Sequence, residues 1–202
     1  RGKHALALSL AVLSLEEVGK LLMADGLLLA SAGDARSARF SKGWRNHKAK
    51  LEAIPFFPLF VQTIAVLDPR YTSESRFREA LAISLRSDQE VMAQIIQNLG
   101  PAKSFEDLDE WKQKGFYAHL SSADALCTPA DAVPLVLSQS AVLLARRLCG
   151  TLDFLLTDNL ARYQEMAQAV RSSASREDLE KLRASIAAML DLDGEGSNDS
   201  VH

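Results

Sequence analysis

Two short segments hold the residue types that could move protons or stabilise charge. The first, Ser14-Leu15-Glu16-Glu17-Val18-Gly19-Lys20, interrupts an apolar stretch with two carboxylates and an ammonium. Glu16 and Glu17 stand four and three residues before Lys20, the spacings at which helical side chains meet, so Lys20 can reach either one. Such a pair on an open surface contributes only about a few tenths of a kcal/mol. Here Leu13, Leu15, Val18, Leu21 and Leu22 flank it, which argues against full exposure. The second segment, Trp44-Arg45-Asn46-His47-Lys48-Ala49-Lys50, sets His47 and Lys50 three apart on one helix face. A histidine exchanges protons near neutral pH, a cation stabilises a phosphorane, and a carboxylate can orient both. Those parts can cut RNA without a metal. They can equally build a structural ion-pair network. The region has no His/Asp/Cys cluster of ligand spacing, so no metal and no cofactor are expected.

These residues must be positioned by helices. The apolar pattern predicts a first helix from about His4 to Ala30, a turn at Ser31-Ala32-Gly33-Asp34, and a second helix from near Arg36 past Leu51. Pro55 and Pro58 should end or kink it. If the chain reverses at Gly33-Asp34, Lys20 falls level with His47, and Glu17 with Lys50. Arg36, Arg39, Lys42, Arg45 and Lys48 recur every third residue, with no acid from Ala35 to Leu51. That series reads either as a solvated helix side or as a phosphate-facing stripe.

Further along, Leu59–Leu67 is an apolar run closed by Asp68-Pro69. Thr72 or Ser73 can cap a third helix that runs through Phe77, Leu81, Leu85, Val91 and Ile95 to a stop at Gly100-Pro101. Weak periodicity makes 101–128 an irregular connection, anchored on the bundle by Phe116 and Tyr117. Thr128-Pro129 opens a helix that reaches about Val170, with Pro134 tolerated near its first turn. A last helix starts at Ser175 and ends near Leu190, and the acidic, Gly/Ser/Asn-rich residues 191–202 read as a disordered tail. The expectation is an all-α domain over 1–190, with about five helices.

Composition agrees. Only 10 glycines and 6 prolines punctuate 202 residues, which favours long helices. The net charge of −3 excludes polyanion binding by overall charge, so any nucleic-acid contact must come from local clustering. Two cysteines, Cys127 and Cys149, cannot build a disulfide framework and are expected to be reduced, which points to the cytoplasm. The uncharged run Ala5–Leu15 is too short to span a bilayer, and Glu16, Glu17, Lys20 and Asp25 follow it, so no membrane association is expected.

Taken with Trp111-Lys112-Gln113-Lys114-Gly115-Phe116-Tyr117, the two opening segments resemble the AbiV family of bacterial phage-defence proteins, a branch of the HEPN superfamily. They match its S-x-E-E-x-G-K helix, its H-x-x-K helix and its L-K-x-x-G-L-Y type segment, in that order. The resemblance implies a HEPN-like helical bundle, a homodimer, and a role in halting the metabolism of infected cells. Many HEPN proteins are ribonucleases with an R-x4–6-H motif. Here Arg45 is too near His47 and Arg39 too far, while Lys42 stands at K-x4-H spacing.

On this reading His47 is the acid/base group, with Lys20, Glu17 and Glu16 stabilising charge and positioning it. Lys42, Arg45, Lys50, Lys112 and Lys114 contact phosphate. RNA is the expected partner, with a phage-encoded or regulatory protein as a further one. The alternative is a non-catalytic bundle that inhibits by binding RNA, a nucleotide or a partner protein.

Overall fold

The computed structural model describes residues 3–28, 45–117, 119–120 and 126–173. Eight α-helices lie within them: α1 Lys3–Leu28, α2 His47–Glu52, α3 Phe57–Ala65, α4 Pro69–Ser73, α5 Ser75–Leu99, α6 Leu108–Phe116, α7 Pro129–Ala132 and α8 Leu135–Ser173. The only strands among the described residues are β1 His119–Leu120 and β2 Leu126–Cys127, a two-rung antiparallel ladder. The fold is all-α, with more helices than the five expected. The turn near Gly33, the helix start near Arg36, and everything after Ser173 lie outside the described residues.

Helix α1 is central. Ala5, Leu8, Val12, Leu15 and Leu22 are buried, together with Ala11 and Val18 on flanking sides, while Leu6, Leu10 and Leu13 leave one stripe of the helix exposed. Its neighbours are α8, α6 and α2. Helix α8 supplies the opposing wall through Leu137, Ala141, Leu144, Leu148 and Leu155. Over Leu135–Thr157 it is long and apolar enough to cross a membrane. Helix α5 buries Leu81, Leu85, Val91 and Ile95, one stripe at helical spacing. Asp88 on that stripe accepts from the Arg147 guanidinium of α8 at 2.5 Å. Burial pushes the Asp88 carboxyl above its usual pKa, against the pull of Arg147. At the far end Asp68 takes hydrogen bonds from Arg70, and from Asn159 of α8 at 2.9 Å. The Arg70 bonds, working against burial, hold its carboxyl well below the usual range.

Several boundaries differ from the sequence reading, each for a local reason. The second helix is not continuous from Arg36 past Leu51. Asn46 is extended (φ −90°, ψ 115°), and its side chain accepts from the Lys48 amide, so α2 starts afresh at His47. Pro134 is not absorbed into a first turn. It separates α7 from α8, and the junction is tied to α1 by His4 Nε2 donating to the Val133 carbonyl at 3.0 Å. The stretch 101–128, expected to be irregular, contains α6. Asp107 accepts from the Ser104 amide at 2.8 Å and starts that turn. Phe116 and Tyr117 do not anchor it, being 36% and 65% exposed. Gly100, by contrast, ends α5 as expected, with φ 105°.

Two glycines set how closely the site helices approach. A Cβ on Gly19 would lie 2.0 Å from the Lys50 carbonyl oxygen of α2. One on Gly115 would lie 2.2 Å from the Ser9 hydroxyl oxygen and 2.6 Å from the Ala5 carbonyl oxygen of α1. Backbone stands in the way at both positions, so Gly19→Ala and Gly115→Ala should each cost about 1–3 kcal/mol in urea denaturation. Gly150, inside α8 with open space around it, provides the control. Gly150→Ala should raise stability by about 0.5–1 kcal/mol, the ordinary gain of removing a helix-interior glycine.

Candidate acid–base site

The site forms where α1, α2 and α6 meet. Asn46 caps α2 and makes His47 its first residue, and the Gly19–Lys50 approach seats that helix on α1. On the other flank Gly115 lets α6 lie against α1, where the Ser9 hydroxyl donates to the Lys112 carbonyl at 2.8 Å. Glu16 therefore lies between the two, only 2% exposed.

Its carboxylate is fully engaged. Oε2 lies 2.6 Å from His47 Nδ1, and Oε1 lies 2.5 Å from Lys112 Nζ. The same ammonium reaches Asp109 Oδ1 at 2.6 Å and stands 3.3 Å from His47 Nδ1. A buried unpaired carboxylate would be prohibitively costly, and the ammonium removes most of that cost. Burial pulls the Lys112 pKa down, but the carboxylates of Asp109 and Glu16 outweigh it and hold it above the ordinary lysine value. The imidazole is less enclosed, with its side chain 51% exposed. One edge of the ring is held from inside and the rest meets solvent.

Glu16, His47 and Asp109 also offer ligand atoms within 4.8 Å of one another, the geometry of a cation site. Lys112 Nζ stands among them, at bonding distance from both carboxylates. The positive charge this group requires is already supplied by the chain.

The structure sorts the remaining candidates. Lys20 and Glu17 bond each other rather than His47, on the outer side of α1, where Glu17 is 67% exposed. The expected antiparallel register put Lys20 level with His47 and Glu17 with Lys50; instead Glu16 meets the ring and Gly19 lies against Lys50, pairs that advance in the same direction along both helices. Lys112 was expected to contact phosphate. Instead it is buried between two carboxylates, with no ammonium surface for a ligand. Lys50 is likewise buried, at 5%, with its backbone against Gly19. Arg45 is exposed. Lys114 pairs with Glu110 at 2.6 Å and lies 4.5 Å from the Trp111 ring centre. Lys42 lies outside the described residues. Asp109 and Ser9 were not singled out from the sequence, while Gly19 and Gly115 were noted as motif residues without their packing role. The Asp109-x-x-Lys112 spacing was the available signal for the first.

The HEPN AbiV family model matches residues 1–150. No curated protein and no solved structure matches the chain.

The buried pair makes a specific thermodynamic prediction. Glu16→Gln and Lys112→Met should each lower unfolding free energy by about 2–4 kcal/mol, since each strands a buried partner. The double variant should lose less than the sum, with a coupling of about 1–3 kcal/mol in urea titrations. Strict additivity would show that the two charges do not support each other.

Proposed function

The chain belongs to the AbiV family of HEPN proteins, and from that membership we propose an abortive-infection effector that cuts RNA without a metal. It acts as a cytoplasmic homodimer, and its action arrests growth or translation. The observation that supports this most is the half-exposed His47 ring bonded at 2.6 Å to the buried Glu16 carboxylate. A surface histidine with no role needs no buried acid behind it.

With Nδ1 turned to Glu16, the outer ring nitrogen is the one available for proton exchange. It removes the proton of a ribose 2′-hydroxyl. The freed oxygen attacks the adjacent phosphorus, forming a 2′,3′-cyclic phosphate, and the departing 5′-oxygen takes a proton from solvent or from an acid. Glu16 orients the ring and balances its charge once protonated. Arg45, Lys48, Lys42 and Lys20 are the cations for phosphate, and Lys114 supplements them. The step as written uses no metal, and the Glu16–His47–Asp109 group found among the described residues already holds an ammonium.

A second reading has a specific observation in its favour. The R-x4–6-H arginine is missing, and Lys50 and Lys112 are buried, which leaves fewer cations to stabilise a phosphorane. The bundle would then inhibit by binding RNA, a nucleotide or a phage-encoded or regulatory protein.

Incubating total cellular RNA with purified protein in EDTA separates the two. The parent should produce fragments ending in cyclic phosphate, and folded His47→Ala should cut at least about 100-fold more slowly, the scale of a lost general base. RNA retention in a gel shift with no cleavage, equal in both proteins, would favour the binding module.

A further inference from the structure

His47 Nδ1 faces two groups with opposite demands. Glu16 Oε2, at 2.6 Å, can only accept a proton while ionised, and Lys112 Nζ, at 3.3 Å, can only donate. Nδ1 cannot donate to the first and accept from the second. Three observations decide between them. The Glu16 contact is the shorter and is charge-assisted. The ammonium donates to Glu16 Oε1 at 2.5 Å and is held on its other side by the Asp109 carboxylate, an ion pair at 2.6 Å. And Asp109, from the same turn of α6, draws the ammonium towards itself rather than towards the ring.

We infer that Asp109 and Lys112 are positioning residues which lock neutral His47 in the tautomer carrying its proton on Nδ1. Asp109 holds the ammonium under Glu16, the ammonium occupies Oε1, and the remaining oxygen, Oε2, is left as the acceptor for Nδ1–H. The lone pair is thereby fixed on Nε2, the nitrogen turned away from the carboxylate. The tautomer follows from geometry alone. Its catalytic importance rests on the ribonuclease reading above, in which a base must present that lone pair.

Without Lys112 nothing holds Oε1, so the carboxylate is free to turn and Nδ1 loses the fixed acceptor that keeps its proton there. Asp109→Asn weakens the same lock more gently, since Asp109 is 22% exposed and sits at the edge of the cluster.

Nitrogen-15 NMR of the imidazole reports tautomers directly. The spectra are taken about two pH units above the ordinary histidine value, with His47 assigned by loss of its signals in His47→Ala. The parent should show Nδ1–H. Asp109→Asn should shift the tautomer ratio roughly tenfold towards Nε2–H, the scale of one charge-assisted hydrogen bond. Asp109→Glu should restore the parental ratio, and Lys112→Met should shift it at least as far as Asp109→Asn. If Lys112→Met does not fold, the two Asp109 variants decide. Nε2–H in the parent, or one unchanged ratio in the parent and Asp109→Asn, overturns the inference. On the ribonuclease reading, Asp109→Asn also lowers kcat about tenfold with KM unchanged. An inactive parent with a locked ring rejects the ribonuclease reading alone. An active enzyme with an unlocked ring rejects this inference alone.

Discussion

A carboxylate removed from water costs several kcal/mol, a large share of the net stability of a domain this size. Glu16 is such a group, and the arrangement around it follows from the need to compensate it. Lys112 supplies the opposite charge from a helix 96 residues further along the chain, and His47 fills the second oxygen from another. Each partner is meaningful only when the three helices are correctly docked. The charge cluster therefore acts as a check on assembly. Exchanging it for apolar side chains of equal volume would remove that check without necessarily lowering stability.

Docking at this distance depends on two missing side chains. Gly19 brings the α2 backbone against α1, and Gly115 does the same for α6. Both glycines belong to the segments that carry Glu16 and Lys112, three residues away in each case. Three residues is nearly one helical turn, so the close contact and the charged group share a face. The short range of a 2.6 Å hydrogen bond is reached because the backbones themselves touch.

The all-α architecture was legible because leucine, alanine and scarce glycine leave little else to build. The end of α5 was legible too, since Gly100 adopts a backbone conformation that other residues avoid. Glu16 and His47 could be found from residue type, but not their pairing. The expected register assumed one unbroken second helix antiparallel to α1, whereas α2 begins at His47 and its contacts with α1 run in the same direction along both helices. Lys112 was misjudged for a different reason. A lysine near glycine and aromatics looks like a solvent-facing cation, and only a carboxylate far away in sequence reveals that it faces inward. Long-range charge pairing leaves no local periodicity to read.

Lys112 is gripped at both ends by one helix. Ser9 of α1 takes its carbonyl, and Glu16, seven residues and two turns further on, takes its ammonium. Two turns advance about 10 Å along the axis. The lysyl side chain thus works as a gauge bar, fitting a gap that α1 itself measures out. Ornithine would fall short of the far mark and arginine would overrun it with a flat head, so here the number of methylenes is as much a dimension of the molecule as the pitch of its helices.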